Sequence, residues 1–243
     1  REAVSGIRLK RLGLEVWHGL VFVNLYADAP PLAPDLDGLG SVTAPYRIAE
    51  HRVVMCEDME IACNWKLFIE NFCESYHVFS VHPETLEPGT ATTSTEILPG
   101  GTGYNHHLMM NGSETLRVAA GRLGLPSNGP TPLHILCFYP ASAISFDSGE
   151  AVLSSVVPTG VNTSRVRLWR TVLPDVDGTD SQEQAERSNA AIRTFMAEDR
   201  AVIEGMQKGL AAGTGNHAPQ HPWETTNWEF AQYLMRRLGI VLP

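Results

Sequence analysis

Between Asn64 and Pro83 the chain reads NWKLFIENFCESYHVFSVHP, and here the residues able to do chemistry are concentrated. The stretch holds His77 and His82, with Glu70, Asn71 and Glu74 just ahead of them. Imidazole nitrogens are good ligands for first-row divalent metals. Two histidines and one carboxylate form a facial triad that leaves positions open on one side of a ferrous ion for dioxygen and substrate. The stretch therefore supplies half of a mononuclear iron site and needs a carboxylate from elsewhere. The best candidate lies in EDRAVIEGMQ, residues 198–207, where Glu198 and Asp199 interrupt an amphipathic run. A solvated acidic pair neutralised by Arg200 and Lys208 is the other reading of the same residues.

On a helix starting at Asn64, one face carries Trp65, Phe68, Ile69, Phe72 and Tyr76, and should be buried. A second face carries Glu70, Glu74 and His77. A carboxylate one helical turn before a histidine shares its face, so Glu74 is placed to accept a ring N–H from His77 or from another histidine nearby. Such a contact fixes the tautomer and leaves the other nitrogen for a metal. His77 and His82 follow the pattern HxxxxH, which puts them about 140° apart on a regular helix. A shared metal requires the helix to end or loosen between them, and Ser80 and Pro83 favour that. With nine histidines in the chain, this spacing alone is weakly specific. Two ordinary, partly buried histidines would look the same.

The elements that must position these residues can be read along the chain. LEVWHGLVFVNLY, residues 14–26, is a strand or a strand pair turned at His18-Gly19. The proline-rich run at 27–34 is a strap and the best candidate for a domain boundary. Tyr46–Cys63 reads as one or two strands, and Thr85–Gly103 as a long loop after the histidine pair. Tyr104–Met110, Leu133–Tyr139, Ala143–Phe146, Ala151–Val157 and Arg165–Leu173 read as an antiparallel meander. Arg165, Arg167 and Arg170 look like a solvated strand face. His106 and His107 are strand residues, one of which could face a pocket. After a turn at Pro174–Asp180, a helix capped by Asp180 or Ser181, with Glu183 completing a capping box, runs to about Ala211. Its weak points are Gly205 and Gly209. Asn216–Pro222 reads as a loop holding His217 and His221, and Trp228–Leu238 as a short final helix. The predicted fold class is α+β: one antiparallel β-sheet with a long C-terminal helix packed across it, a helix-grip, START-like arrangement.

Composition limits the function classes. The chain has 243 residues, 43% of them hydrophobic, enough for a substantial core. Its formal net charge of -9 argues against a nucleic-acid binder, which needs a basic face. No apolar run approaches the roughly 20 residues that span a bilayer, and no basic-then-apolar leader opens the chain. Cys56, Cys63, Cys73 and Cys137 form no CxxC or CxH spacing, so a cysteine-based cluster within this chain is not expected. Reduced thiols in a cytoplasmic protein are. The absence of an initiator Met is read as the mark of a fragment.

The stretch from Asn64 to Pro83 resembles the iron-binding signature of the Rieske-type non-haem iron oxygenases, in the catalytic domain of their α subunit. The pattern there is Asn-Trp-Lys, Glu-Asn, an acidic residue, Tyr-His, and a His before Pro. GLVFVNL at Gly19–Leu25 and EDRAVIEGMQKGL at Glu198–Leu210 resemble the flanking family segments. The resemblance implies that His77, His82 and Asp199 hold a mononuclear Fe(II). It places Asn71 close to the iron. It puts Glu74 at the position that bridges an iron-ligating histidine to a [2Fe-2S] Rieske cluster of a neighbouring subunit in a homotrimer. Glu74 and the sequence QKGL are typical of the branch resembling choline monooxygenase, carnitine oxygenase and glycine-betaine demethylase.

The Rieske domain itself is missing. Residues 1–30 look like its C-terminal tail, and 31–243 like the catalytic mononuclear-iron domain. The implied function is a terminal oxygenase that takes electrons from a reductase or ferredoxin. With O2 it would hydroxylate or N-demethylate a small organic substrate, such as a quaternary amine. An aromatic-ring hydroxylating dioxygenase is the alternative within enzymes, and a metal-free START-like ligand-binding module is the alternative from another class. For a cationic substrate, Tyr104, Phe138, Tyr139 and Trp169 could line an aromatic cage or be ordinary core aromatics.

Overall fold

The computed structural model describes residues 8–174, 182–213 and 219–240. The chain opens with a hairpin of β1 (Gly13–Trp17) and β2 (Leu20–Asn24). Its two-residue turn needs left-handed backbone, and His18 and Gly19 sit at φ 47 and 80. Trp17, Leu20 and Phe22 pack inward from it. The strap then enters a short helix, α1 (Leu39–Thr43). After β3 (Arg52–Ile61) come α2 (Trp65–Cys73) and a single turn, α3 (Val78–Val81). Next follow β4 (Glu96–Leu98), β5 (Tyr104–Asn111), α4 (Glu114–Arg122), β6 (Thr131–Phe138), β7 (Ser142–Phe146), β8 (Glu150–Gly160) and β9 (Thr163–Val172). The long helix α5 (Gln182–Ala211) and α6 (Thr225–Leu238) close the described chain.

Seven strands form one antiparallel sheet in the order β3-β9-β8-β7-β6-β5-β4. The meander from β5 to β9 is continuous, and β3 adds to its far edge beside β9. Side chains alternate between the two faces. On one face Cys137, Ala143, Val156, Val166 and Leu168 meet Phe68 and Ile69 of α2, Ile192, Met196 and Ile203 of α5, and Phe230 of α6. On the other, Tyr104, Leu136, Phe138, Ile144 and Phe146 lie under Leu36, Leu39, Tyr46 and Ile48. The α+β class with a long helix across an antiparallel sheet is as the sequence predicts.

Several local expectations are corrected. Only Arg52–Ile61 of the 46–63 stretch is strand. Residues 44–46 and 48–50 are 3-10 turns joined at Arg47, φ 53, and they bury Tyr46 and Ile48. Apolar spacing there serves turn packing. The 85–103 stretch is not all loop, because β4 pairs with β5 from Glu96↔Leu108 to Leu98↔His106.

Arg170 is not on a solvated face. Arg165 and Arg167 are exposed and pair with Glu60 and Asp58. Arg170 has the opposite strand parity, shared with Val166 and Leu168, and is 1% exposed. Its guanidinium holds Glu150 at 2.7 Å and donates to Asn189 on α5 at 3.3 Å. Gly205 and Gly209 do not interrupt α5, and the final helix starts earlier than predicted, at Thr225. The capping box at 180–183, most of the preceding turn and His217 lie outside the described residues. All four cysteines are free.

Candidate metal centre

The two histidines of the candidate centre arise where α2 stops. Asn64 starts that helix: its side-chain oxygen accepts the Lys66 N–H at 3.1 Å, satisfying one of the unpaired donors of the first turn. The helix runs only to Cys73, and Glu74 is extended at φ -139, ψ 166. The end is tied down from outside. Asn105 of β5 donates to Cys73 Sγ at 3.1 Å and to the Thr226 carbonyl of α6 at 3.0 Å. Ser75 Oγ is bonded to His107 Nε2 of β5 at 2.8 Å.

Glu70, Glu74 and His77 therefore do not share a helical face, contrary to the periodicity argument. The predicted contact still forms. Glu74 Oε2 accepts the His77 backbone N–H at 3.1 Å, and its Oε1 meets His77 Nδ1 at 2.6 Å. The helix has already ended before His77, and the single turn α3 separates the two histidines. That turn brings their ring centroids to 5.4 Å.

The third group comes from α5. Ile192, Met196, Asp199 and Ile203 recur at helical spacing and are all buried, so Asp199 is a carboxylate set in an apolar stripe. Its Oδ1 lies 3.0 Å from His82 Nε2 and 3.5 Å from His77 Nε2. One ligand atom from each of His77, His82 and Asp199 falls within 4.8 Å of the others, and among the described residues no other such group of three occurs. His82 is 1% exposed and Asp199 5%.

The donor set fits a divalent metal. Both Nε2 atoms point toward one carboxylate, while both Nδ1 atoms are engaged by other carboxylates. Glu198 Oε2 meets His82 Nδ1 at 2.7 Å. Burial alone would lower the His82 pKa, but Asp199 and Glu198 together raise it. Burial likewise would raise Glu198, and its bonds to His82 and Thr85 bring it below the usual value. A buried and a partly buried imidazole beside a buried acid, with a further carboxylate on each Nδ1, form a donor set whose negative charge a divalent ion would neutralise.

Other predicted residues fall nearby or elsewhere. Asn71 is half-buried on α2, three residues before Glu74. Burial raises the Glu70 pKa, partly offset by Lys66. Of the paired strand histidines, His107 faces the helices and His106 faces away. Burial, then His106 and His77, pushes His107 down to about 3. Its Nδ1 has no hydrogen-bond partner among the described residues.

His221 stacks on Tyr76 at 4.5 Å and 4°, next in sequence to His77. The four aromatics offered as a cation cage do not converge here. Tyr104 and Phe138 belong to the core on the opposite sheet face. Tyr139 packs on Phe230 and Tyr233. Trp169 lines a groove of about 600 Å³ with His18 and His51. Thr85 and Ser75 are the neighbours that the sequence did not single out, and Glu198 was singled out only as part of the acidic pair with Asp199. Their signal, a polar residue a few positions from a histidine, is common in any sequence.

Residues 48–240 match the model of the ring hydroxylating alpha subunit (catalytic domain). The chain belongs to that family. Its members are non-haem iron oxygenases that use a mononuclear iron and a Rieske cluster. They take electrons from a reductase or ferredoxin and act on small substrates.

Among curated relatives, the glycine betaine monooxygenase oxygenase subunit of Pseudomonas aeruginosa is 33% identical over 79 residues, covering 32% of this chain and 18% of that protein. The putrescine 2-hydroxylase of Ralstonia nicotianae is 26% identical, covering 95% of this chain and 65% of that protein. The chain thus spans less than two thirds of either relative.

A solved quaternary ammonium Rieske monooxygenase, described for carnitine oxidation by gut microbiota, superposes with a TM-score of 0.74 at 15% identity. That match covers 94% of this chain and 61% of the other. Naphthalene 1,2-dioxygenase from Rhodococcus gives 0.71 at 19% identity, covering 95% and 67%. At these identities the likeness is one of fold.

Proposed function

We propose that this chain is the iron-binding catalytic part of a terminal oxygenase that hydroxylates or N-demethylates a small amine. The convergence of His77 Nε2, His82 Nε2 and the Asp199 carboxylate carries the reading. In it, these three residues hold one Fe(II). When bound, ferrous iron supplies the dioxygen chemistry that side chains alone cannot perform.

The chain's own residues do the rest. Asp199 contributes the anionic ligand from a helix packed on the sheet. Glu74 accepts the His77 Nδ1 proton and keeps Nε2 free for the metal. In this reading Glu74, held against His77 Nδ1, is the carboxylate that bridges toward a Rieske cluster carried by a neighbouring subunit. On the α5 side, Phe195, whose ring lies 6.3 Å from that of His82, gives that imidazole an apolar neighbour.

An amine substrate is supported by the relatives named for glycine betaine, putrescine and carnitine. Among the described residues no helix is long and apolar enough to cross a membrane.

Anaerobic metal titration tests the reading. The chain should take up about one Fe(II), and Asp199→Ala should abolish uptake, because removing the only anionic ligand strips the triad. Full retention of iron in that variant would refute the ligand set. A START-like binder would take up no iron, and His77→Ala would leave its ligand affinity unchanged. Calorimetry with glycine betaine, carnitine and putrescine against naphthalene separates amine from aromatic substrates.

A further inference from the structure

We infer that Glu198 is the positioning carboxylate of His82, and that Thr85 locks it in place. The inference rests on the metal reading above and goes beyond it, since Glu198 is not one of the three converging groups. The ring of His82 is 1% exposed, so its Nδ1 cannot turn to water. That nitrogen has Glu198 Oε2 at 2.7 Å, while Nε2 has Asp199 Oδ1 at 3.0 Å. Neighbouring residues on a helix diverge by about 100°. Consecutive carboxylates of α5 can therefore reach opposite edges of one imidazole. Asp199 does so from the buried stripe and Glu198 from its rim, where its side chain is 31% exposed.

Thr85 supplies the lock. Its Oγ1 hydroxyl donates to the same Glu198 Oε2 at 2.7 Å, and its backbone N–H donates to the His82 carbonyl at 3.2 Å. The turn after His82 thus closes back on the carboxylate that holds the ring. Oε2 takes both donors, which suits an oxygen with two lone pairs. The nearest cation on the helix does not compete, because Arg200 is paired with Glu204 at 2.8 Å.

The chemical consequence follows from tautomer control. A carboxylate at Nδ1 keeps the proton there, aims the Nε2 lone pair at the point shared with His77 and Asp199, and makes the ring a stronger donor to a metal. Glu74 stands in the same relation to His77 at 2.6 Å. Each histidine then has a carboxylate of its own, one from the end of α2 and one from α5. The charge next to Asp199 belongs to the support of the site and is not a solvated partner of Arg200.

The test uses the Co(II)-loaded chain, whose ring N–H protons on metal-bound histidines appear as hyperfine-shifted, solvent-exchangeable proton resonances. The wild type should show one such resonance from each histidine. Glu198→Ala should lose the His82 resonance to solvent exchange and weaken Co(II) binding by about 10–100-fold. Glu198→Gln, which keeps an acceptor but not the charge, should retain the resonance with a smaller loss of affinity. Thr85→Val should weaken binding in the same direction, by less than Glu198→Ala.

Wild-type affinity with both resonances intact in Glu198→Ala would overturn the inference and leave the metal reading standing. Weakened binding with both resonances intact would also overturn it, since a merely structural role predicts that pattern. A wild-type chain that takes up no metal would remove the metal reading and this inference together.

Discussion

A buried histidine pair on the far face of the sheet should make this protein lose stability steeply below neutral pH. His106 Nε2 and His134 Nδ1 are 2.9 Å apart, and His134 Nε2 is 2.9 Å from the Tyr46 hydroxyl. His106 is 2% exposed and His134 6%. Burial, then His134, pushes His106 down to about 4, and burial alone pushes His134 to about 4. Both values lie below the unfolded value of 6.5. The unfolded chain therefore binds protons that the folded chain refuses, and stability falls as pH drops from about 6.5 toward about 4.

Each proton contributes a slope of about 1.4 kcal/mol per pH unit, so the pair gives about 2.7 well below pH 6.5. Between pH 7 and pH 5 the loss integrates to about 4 kcal/mol, a large part of the roughly 5–15 that holds a typical domain together. Urea midpoints measured with chelator at several pH values give this slope. The comparison is with a variant carrying His106→Leu and His134→Phe, which keeps the ring stacked on Phe146. That variant leaves the Tyr46 hydroxyl without its hydrogen-bond partner, a pH-independent cost of about 1–3 kcal/mol. His82, raised, and His107, lowered, are present in both proteins, so their contributions of opposite sign cancel in the difference. Parallel slopes in the two proteins would refute the reasoning.

Two smaller perturbations address how the helices are held. Arg170→Met keeps the length of the buried side chain but strands Glu150 and Asn189. Since Glu150 is 32% exposed and can rehydrate, the expected cost is about 2–3 kcal/mol, less than the full penalty for breaking a buried pair. Chemical denaturation checks it, and a change under about 0.5 kcal/mol would contradict the pairing. Asn64→Ala removes both the cap of α2 and the 2.7 Å bond to the Val161 carbonyl. It should cost about 1–2 kcal/mol, measured the same way, with metal stoichiometry preserved.

What the sequence disclosed and what it hid divide along physical lines. The start of α2 was legible because Asn64 caps it with its own side chain. Its end was not, because Glu74 is a fair helix former and the helix is stopped by Asn105 and His107, residues distant in sequence. Asp199 was legible as a charge inside an apolar period.

Strand parity says that His106 and His107 face opposite sides, but not which side the helices cover. The same gap defeated the aromatic cage. Tyr104 and Phe138 are cross-strand partners on the face away from α2 and α5. Arg170 could have been read correctly, since its parity matches Val166 and Leu168 and not Arg165. The bulk of a positive charge argued against it until Glu150 and Asn189 were seen to receive it.

The two halves of the site come from segments far apart in the chain, so their registration must be built by contacts rather than by spacing. Asp199 would be useless if α5 slid by one residue, since Oδ1 would move off the histidines. Two bonds just beyond it prevent that slide. Glu204 Oε1 accepts the Ala62 N–H at 3.0 Å, and Gln207 Oε1 accepts the Asn64 N–H at 2.8 Å. Both donors belong to the entry of α2, where the backbone N–H groups have no partner within their own helix. The long helix thus completes the start of the helix whose far end carries Glu74, and clamps His82 through Glu198. Fixed at both ends of the same segment, α5 has one register in which the carboxylate and the imidazoles meet. That constraint explains how a helix broken at Glu74–His77 can still present its imidazoles to Asp199 at a defined point.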